Sequence, residues 1–175
     1  EGTEIYEPDF TFHGFRYVNV KGLIEEPAED TITGCLVISD IKKTSTFQCS
    51  EDLLNRLYEV ASRTEETNRH SIPTDCPQRD ERLGWTNDMS VRNECALYNY
   101  DLVKLYTKWM RDIRDTQGVV SGVLSDTAPL RRYGPTPMDP IAITPANLPW
   151  NVYCFYGDKR ILEENYDMNV RWLKY

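Results

Sequence analysis

The apolar pattern of the chain changes period near residue 48, and that change bounds what it can fold into. Before it, Phe10-Thr11-Phe12-His13-Gly14-Phe15-Arg16-Tyr17-Val18-Asn19-Val20 is rich in aromatic and β-branched residues and partly alternates. Thr31 to Ile41 has the same character, and Lys21-Gly22 and Glu25-Glu26-Pro27 punctuate the two runs. Strands are therefore expected in residues 1–48. So short a pair cannot bury two faces alone, so the segment is expected to be the end of a β-domain beginning before residue 1. After residue 48 the spacing is helical. Ser50 predicts an N-cap with Glu51 and Asp52 in the first turn, and Leu53, Leu54, Leu57, Tyr58 and Ala61 predict one apolar face on a helix to about Asn68.

Pro73 breaks that pattern. A second helix is predicted from Asp88 to about Tyr98. Asp101 caps a third, with Leu102, Leu105, Tyr106, Trp109, Met110 and Ile113 on one face, ending near Gly118. From there to Thr144 runs a loop carrying Gly118, Gly122, Gly134, Pro129, Pro135, Pro137 and Pro140. A loop that long inside a domain is usually functional or disordered. Two further helices are expected at about 145–156 and 159–175. Pro145 suits a first turn, Pro149 should kink the helix or reset its start, and Gly157-Asp158 is a stop followed by a new cap. The last helix reaches the chain end without a C-cap. Paired helices with loops at alternating ends predict a helical barrel or bundle.

Composition narrows the function classes. The 175 residues suffice for one modest core, and the net charge of -8 argues against nucleic acid, whose phosphates require clustered Lys and Arg. No run approaches the roughly 20 apolar residues of a membrane span. Five cysteines without a CxxC spacing and two histidines without a ligand set predict neither a disulfide scaffold nor a metal site, and no cofactor is expected.

One stretch carries chemistry. Thr74 to Asp88, TDCPQRDERLGWTND, gathers Asp75, Asp80, Glu81, Asp88, Arg79, Arg82 and Trp85 between two predicted helices. Glycoside hydrolysis needs two carboxyl groups, one as proton donor and one as base or nucleophile, in environments that separate their pKa values. Glu81 has Asp80 beside it, and Asp75 and Asp88 could fold close. Trp85 offers a flat face with an N–H handle. Asp75 and Asp88 can accept from hydroxyls, Arg79 can donate, and Arg82 is expected to hold a carboxylate. The opposing reading is a structural salt-bridge network at a helix start, with Asp88 as an N-cap and Trp85 as a core anchor.

These residues carry a resemblance. DCPQRDERLGWTND resembles the signature of the bacterial α-L-rhamnosidases of glycoside hydrolase family 78, usually DCPQRDERLGWTGD, so Asn87 stands at a glycine position. FHGFRYVNVKG resembles the end of that family's β-sandwich domain. PWNVYCFYGDKRILEENYDMNVRWLKY resembles its later helix pair. The resemblance implies a mainly α chain: the first part of an (α/α)6 barrel (49–175, incomplete) preceded by the last strands of a β-sandwich (1–48). It implies inverting hydrolysis of terminal α-L-rhamnosides in a bacterium, in a periplasmic, extracellular or cytoplasmic setting. Glu81 matches the general acid, and Asp75, Arg79, Trp85 and Asp88 match residues that line the rhamnose site. The expected partners are a rhamnosyl glycoside and the remainder of the same polypeptide.

The family's general base is a glutamate in a later part of the barrel, so this chain is expected to carry only the acid half of the site and to turn over nothing alone. The family often has W-G-D-A where this chain has Pro137-Met138-Asp139-Pro140, which moves or removes an aromatic wall. Tyr133 could substitute, with Asp139 and Trp150 as further candidates. Asn87 tolerates a left-handed turn better than most residues. Asp126 reads as a turn-forming residue, Trp109 and Trp172 as core, and Cys76 as a buried thiol. The rival readings are a non-catalytic rhamnose-binding protein on the same scaffold and an exo-glycosidase for another sugar.

Overall fold

The computed structural model describes residues 4–118, 120–131, 136–138 and 142–175. Among the described residues there are two short strands and five helices: β1 (Lys42–Lys43), α1 (Asp52–Thr67), α2 (Thr86–Asn99), β2 (Tyr100–Asp101), α3 (Val103–Asp115), α4 (Thr144–Tyr156) and α5 (Arg160–Leu173). β1 and β2 pair antiparallel, Lys42 opposite Asp101 and Lys43 opposite Tyr100. α4 packs against α2, α3 and α5.

The core forms where the helical spacing predicts it. Leu102, Tyr106, Trp109, Met110 and Ile113 of the α3 region meet Leu148 and Val152 of α4, Ile161 and Met168 of α5, and Met89, Ala96 and Leu97 of α2. Burial of side chains this size contributes roughly 1.5–3 kcal/mol each relative to exposure. Asp101, expected to cap α3, is not its cap: Leu102 holds that position without a side-chain bond, and Asp101, one residue earlier, accepts from Val103 N only at 3.4 Å. Pro149 lies inside α4, where its missing N–H leaves the Pro145 carbonyl without its helical donor. Asn169 Nδ2 on α5 donates to that carbonyl at 2.8 Å, so the helix continues through the proline and is tied to its neighbour. Gly157 closes α4 in the left-handed conformation (φ 68°), and Asp158 accepts from Arg160 N at 3.0 Å to start α5.

Two expectations are corrected. No strand occurs among described residues 4–41, although their composition predicts two. β-rich composition becomes a strand only when neighbouring backbone accepts its ladder bonds, and no described segment pairs with residues 10–20 or 31–41 in this way. Second, α1 presents its apolar stripe outward: Leu53 and Leu57 are 72% and 61% exposed. Its polar side faces the protein instead. Tyr100 Oη donates to the Ser62 carbonyl and to Glu66, both at 3.0 Å. Glu65 pairs with the fully buried Arg69 and, at 3.8 Å, with Arg92 of α2. The helix starts one residue later than predicted, with Glu51 as N-cap accepting from Leu53 N.

Candidate active site

The stretch from Thr74 to Trp85 folds as a closed loop between α1 and α2. Asp75 N donates to the Leu83 carbonyl at 3.1 Å, and Leu83 N donates back to Asp75 Oδ1 at 2.8 Å. The other Asp75 oxygen accepts from Arg79 at 3.2 Å. Only 7% of the Asp75 side chain is exposed, so this carboxylate fastens the loop rather than opening to solvent. Arg79 also lies 3.5 Å from Glu81. Contact with the Cys76 sulfur, then the Glu81 and Asp75 carboxylates, pushes the Arg79 guanidinium above its ordinary value, so it is a fixed positive charge. Cys76 is buried, as expected.

The Glu81 side chain is 35% exposed and held by two donors. Besides Arg79, the Trp85 indole N–H donates to Glu81 Oε1 at 2.8 Å. Trp85 is therefore less an open platform than a holder of the acid. One face of its ring is covered by the Arg131 guanidinium at 5.3 Å. Arg131 is in turn paired with Asp126 at 2.6 Å and bonded to Thr136.

The segment after the loop is pinned from the far side of the long connection. Trp85 and Thr127 form an antiparallel bridge, with Thr86 N donating to the Asp126 carbonyl and Ala128 N to the Gly84 carbonyl, both at 2.9 Å. A Cβ at Gly84 would lie 2.2 Å from the Ala128 carbonyl oxygen and 3.1 Å from Trp109 Nε1, so glycine is required by close approach. Trp109, a core residue as predicted, donates to that same carbonyl at 2.9 Å. Asp88 lies in the first turn of α2, where the helix N-terminus favours a carboxylate. With Trp85, Thr86, Asn87, Asp126, Pro137 and Ala142 it lines a cleft of 270 Å³. That is near the small end of ligand pockets, about 300–1,000 Å³. A larger cleft of 390 Å³ between residues 8–12, 37–39 and 70–71 carries one carboxylate, Asp9, and none of the loop's.

The structure thus brings Asp75, Arg79, Glu81 and Trp85 together and sets Asp88 on the adjoining cleft. Trp150, 56% exposed on α4, tilts against Tyr153 and does not line this cleft. Tyr133 and Asp139 lie outside the described residues. Arg82 does not hold a carboxylate among the described residues: its guanidinium stacks on Phe12 at 4.4 Å. The left-handed residue of the stretch is Arg82 (φ 47°), whereas Asn87 is helical. Arg131 escapes a sequence reading, and Asp126 reads there only as turn-forming, because the Trp85–Thr127 pairing carries both back across forty residues of chain to the loop. Asp75, Cys76 and Glu81 are the described residues whose ligand atoms cluster, within 4.8 Å. Arg79 already supplies the positive charge on both carboxylates.

Comparison with known proteins follows the same lines. The profile of the bacterial alpha-L-rhamnosidase 6 hairpin glycosidase domain matches residues 42–175, and that of the bacterial alpha-L-rhamnosidase concanavalin-like domain matches residues 1–38. An alpha-L-rhamnosidase of Formosa agariphila is 38% identical over 95% of this chain and 18% of its own length. One from Streptomyces avermitilis is 36% identical over 100% of this chain and 17% of its own. Among solved structures, an alpha-L-rhamnosidase from Dictyoglumus thermophilum superposes with a TM-score of 0.79 at 37% identity, covering 85% of this chain and 17% of that one. The Streptomyces avermitilis alpha-L-rhamnosidase complexed with L-rhamnose gives 0.73 at 32% identity, covering 79% and 13%. The chain spans less than a fifth of the length of these relatives.

Proposed function

The chain belongs to the bacterial α-L-rhamnosidase six-hairpin glycosidase family, and from that we propose that it carries the proton-donor half of a site that hydrolyses terminal α-L-rhamnosides. The observation that carries this reading is the placement of Glu81. It sits on a loop closed by Asp75 and Leu83, is held by Arg79 and Trp85, and is joined through Trp85 to a cleft that Trp85 lines with Asp88 and Asp126. In this reading residues 1–48 are the end of a β-sandwich domain and residues 49–175 the first helices of an (α/α)6 barrel.

The reaction is an inverting hydrolysis. Glu81 gives its proton to the glycosidic oxygen as the bond to the anomeric carbon breaks. A water attacks that carbon from the opposite face and loses its proton to a second carboxylate. In such enzymes the two carboxyl groups stand about 6.5–9.5 Å apart to admit the water. In this reading the base is not among these 175 residues, which span less than a fifth of the length of the relatives they match. Asp88 and Arg79 bind sugar hydroxyls, and Trp85 holds Glu81 beside the ring. Asp75 acts on the substrate through the loop it fastens.

A second reading, a rhamnose-binding protein without turnover, has one observation in its favour: Arg131 already covers a face of Trp85. A panel of aryl glycosides, offered to the complete protein carrying these residues, separates the readings. Cleavage of the α-L-rhamnoside, with β-L-rhamnose as the first product seen by NMR, is expected. Binding of L-rhamnose without cleavage would favour the second reading, and faster cleavage of another glycoside would assign the site to another sugar.

A further inference from the structure

The Glu81 loop is touched from outside by the N-terminal segment at two points, one on each side of the acid. Upstream, Gly14 lies so close to Gln78 that a Cβ would come within 2.9 Å of the Gln78 Cα and Cβ. Downstream, the Phe12 ring lies under the Arg82 guanidinium at 4.4 Å. Arg82 directly follows Glu81 and holds a positive φ of 47°, a conformation that non-glycine side chains rarely adopt. Its Nε is buried without a hydrogen-bond partner among the described residues, so the Phe12 face is the contact that locates this side chain. The ring is itself held from elsewhere. His70 stacks on it at 3.9 Å and 9° between planes, and His70 Nε2 hydrogen-bonds the Val37 carbonyl at 2.8 Å.

We propose that Phe12 and Gly14 are positioning residues for Glu81: by docking on Arg82 and Gln78 they set where the acid's carboxyl stands relative to the glycosidic oxygen. The inference rests on the reading of Glu81 as proton donor. A displaced acid harms only those substrates that need the proton. A rhamnoside with an alcohol leaving group needs it, whereas an aryl rhamnoside with an acidic phenol leaves with little help. Damage to the fold, the base or the sugar pocket would slow both alike.

The test compares kcat and KM on a natural rhamnosyl disaccharide and on a nitrophenyl rhamnoside, using the complete protein that carries these residues. Phe12→Leu and Gly14→Val are expected to lower kcat on the disaccharide on the order of tenfold or more, as misplacement of a reacting group does. KM should hold, and the aryl substrate should change by no more than about twofold, since its departure draws little on the acid. Phe12→Tyr, which keeps the ring, should restore the wild-type ratio. If Phe12→Leu does not fold, Arg82→Gln reads the same contact from the other side. Equal losses on the two substrates, or none on either, would overturn the proposal. Glu81→Gln, measured alongside, separates the two levels. If it shows the substrate split and the Phe12 and Gly14 variants do not, only the positioning role fails. If it shows no split, the proton-donor reading fails and this inference with it.

Discussion

Asp75 and Trp85 show how much of the site is built from bonds between its own residues. Asp75 uses one oxygen for the Leu83 N–H and the other for Arg79. Asp75→Ala should therefore destabilise the chain by about 1–3 kcal/mol, because Leu83 N–H loses its acceptor inside a folded loop. Denaturant unfolding measures this, and a loss near zero would show that the loop closes without it. Trp85→Phe keeps the ring under Arg131 and removes only the N–H that holds Glu81. Its effect should fall on substrates that need the proton. The motif's members were legible in the sequence because they are neighbours along it. Their roles were less so. Asp75 reads as a hydroxyl acceptor until Leu83 is seen to occupy it, and Arg82 reads as a carboxylate partner until Phe12 is found beneath it. Both contacts depend on how the loop turns back, which residue types alone do not encode.

Among the elements, α3 follows its period closely, since an apolar stripe every three or four residues has one solution when it faces a core. α1 does not, because its partners are the polar groups Tyr100, Arg69 and Arg92, and a buried charge network outweighs a stripe of leucines that finds no described neighbour. Glu65 holds that network, so Glu65→Ala should destabilise the fold by about 3–5 kcal/mol by leaving a buried guanidinium uncompensated. Thermal melts of the variant check this. The stack at the end of α1 has a pH signature. Burial lowers the His70 pKa below its ordinary 6.5, opposed by the Val37 hydrogen bond and reinforced by Arg82. The folded chain thus binds this proton less readily than the unfolded one. His70's contribution is intact above about pH 6.5 and is lost as the pH falls through the lowered native value. The stability difference between wild type and His70→Gln should shrink over that range. A difference that grows on acidification would mean a charged imidazole in the folded state.

For the molecule as a whole, the chain places Glu81, the two side chains that hold it and a small cleft beside the N-terminus of α2, with the segment that precedes the helices in contact with the Glu81 loop. The strands expected in that segment do not form among described residues 4–41, because β-structure depends on partner backbone that no described segment supplies. No described helix is long and apolar enough to cross a membrane. The central claim is that Glu81 protonates the leaving group. Its most direct test is kcat/KM on a natural rhamnosyl disaccharide for the complete protein, wild type against Glu81→Gln. The account predicts a fall of about 10²-fold or more, the scale of a general acid's contribution; equal activity in the two proteins would contradict it.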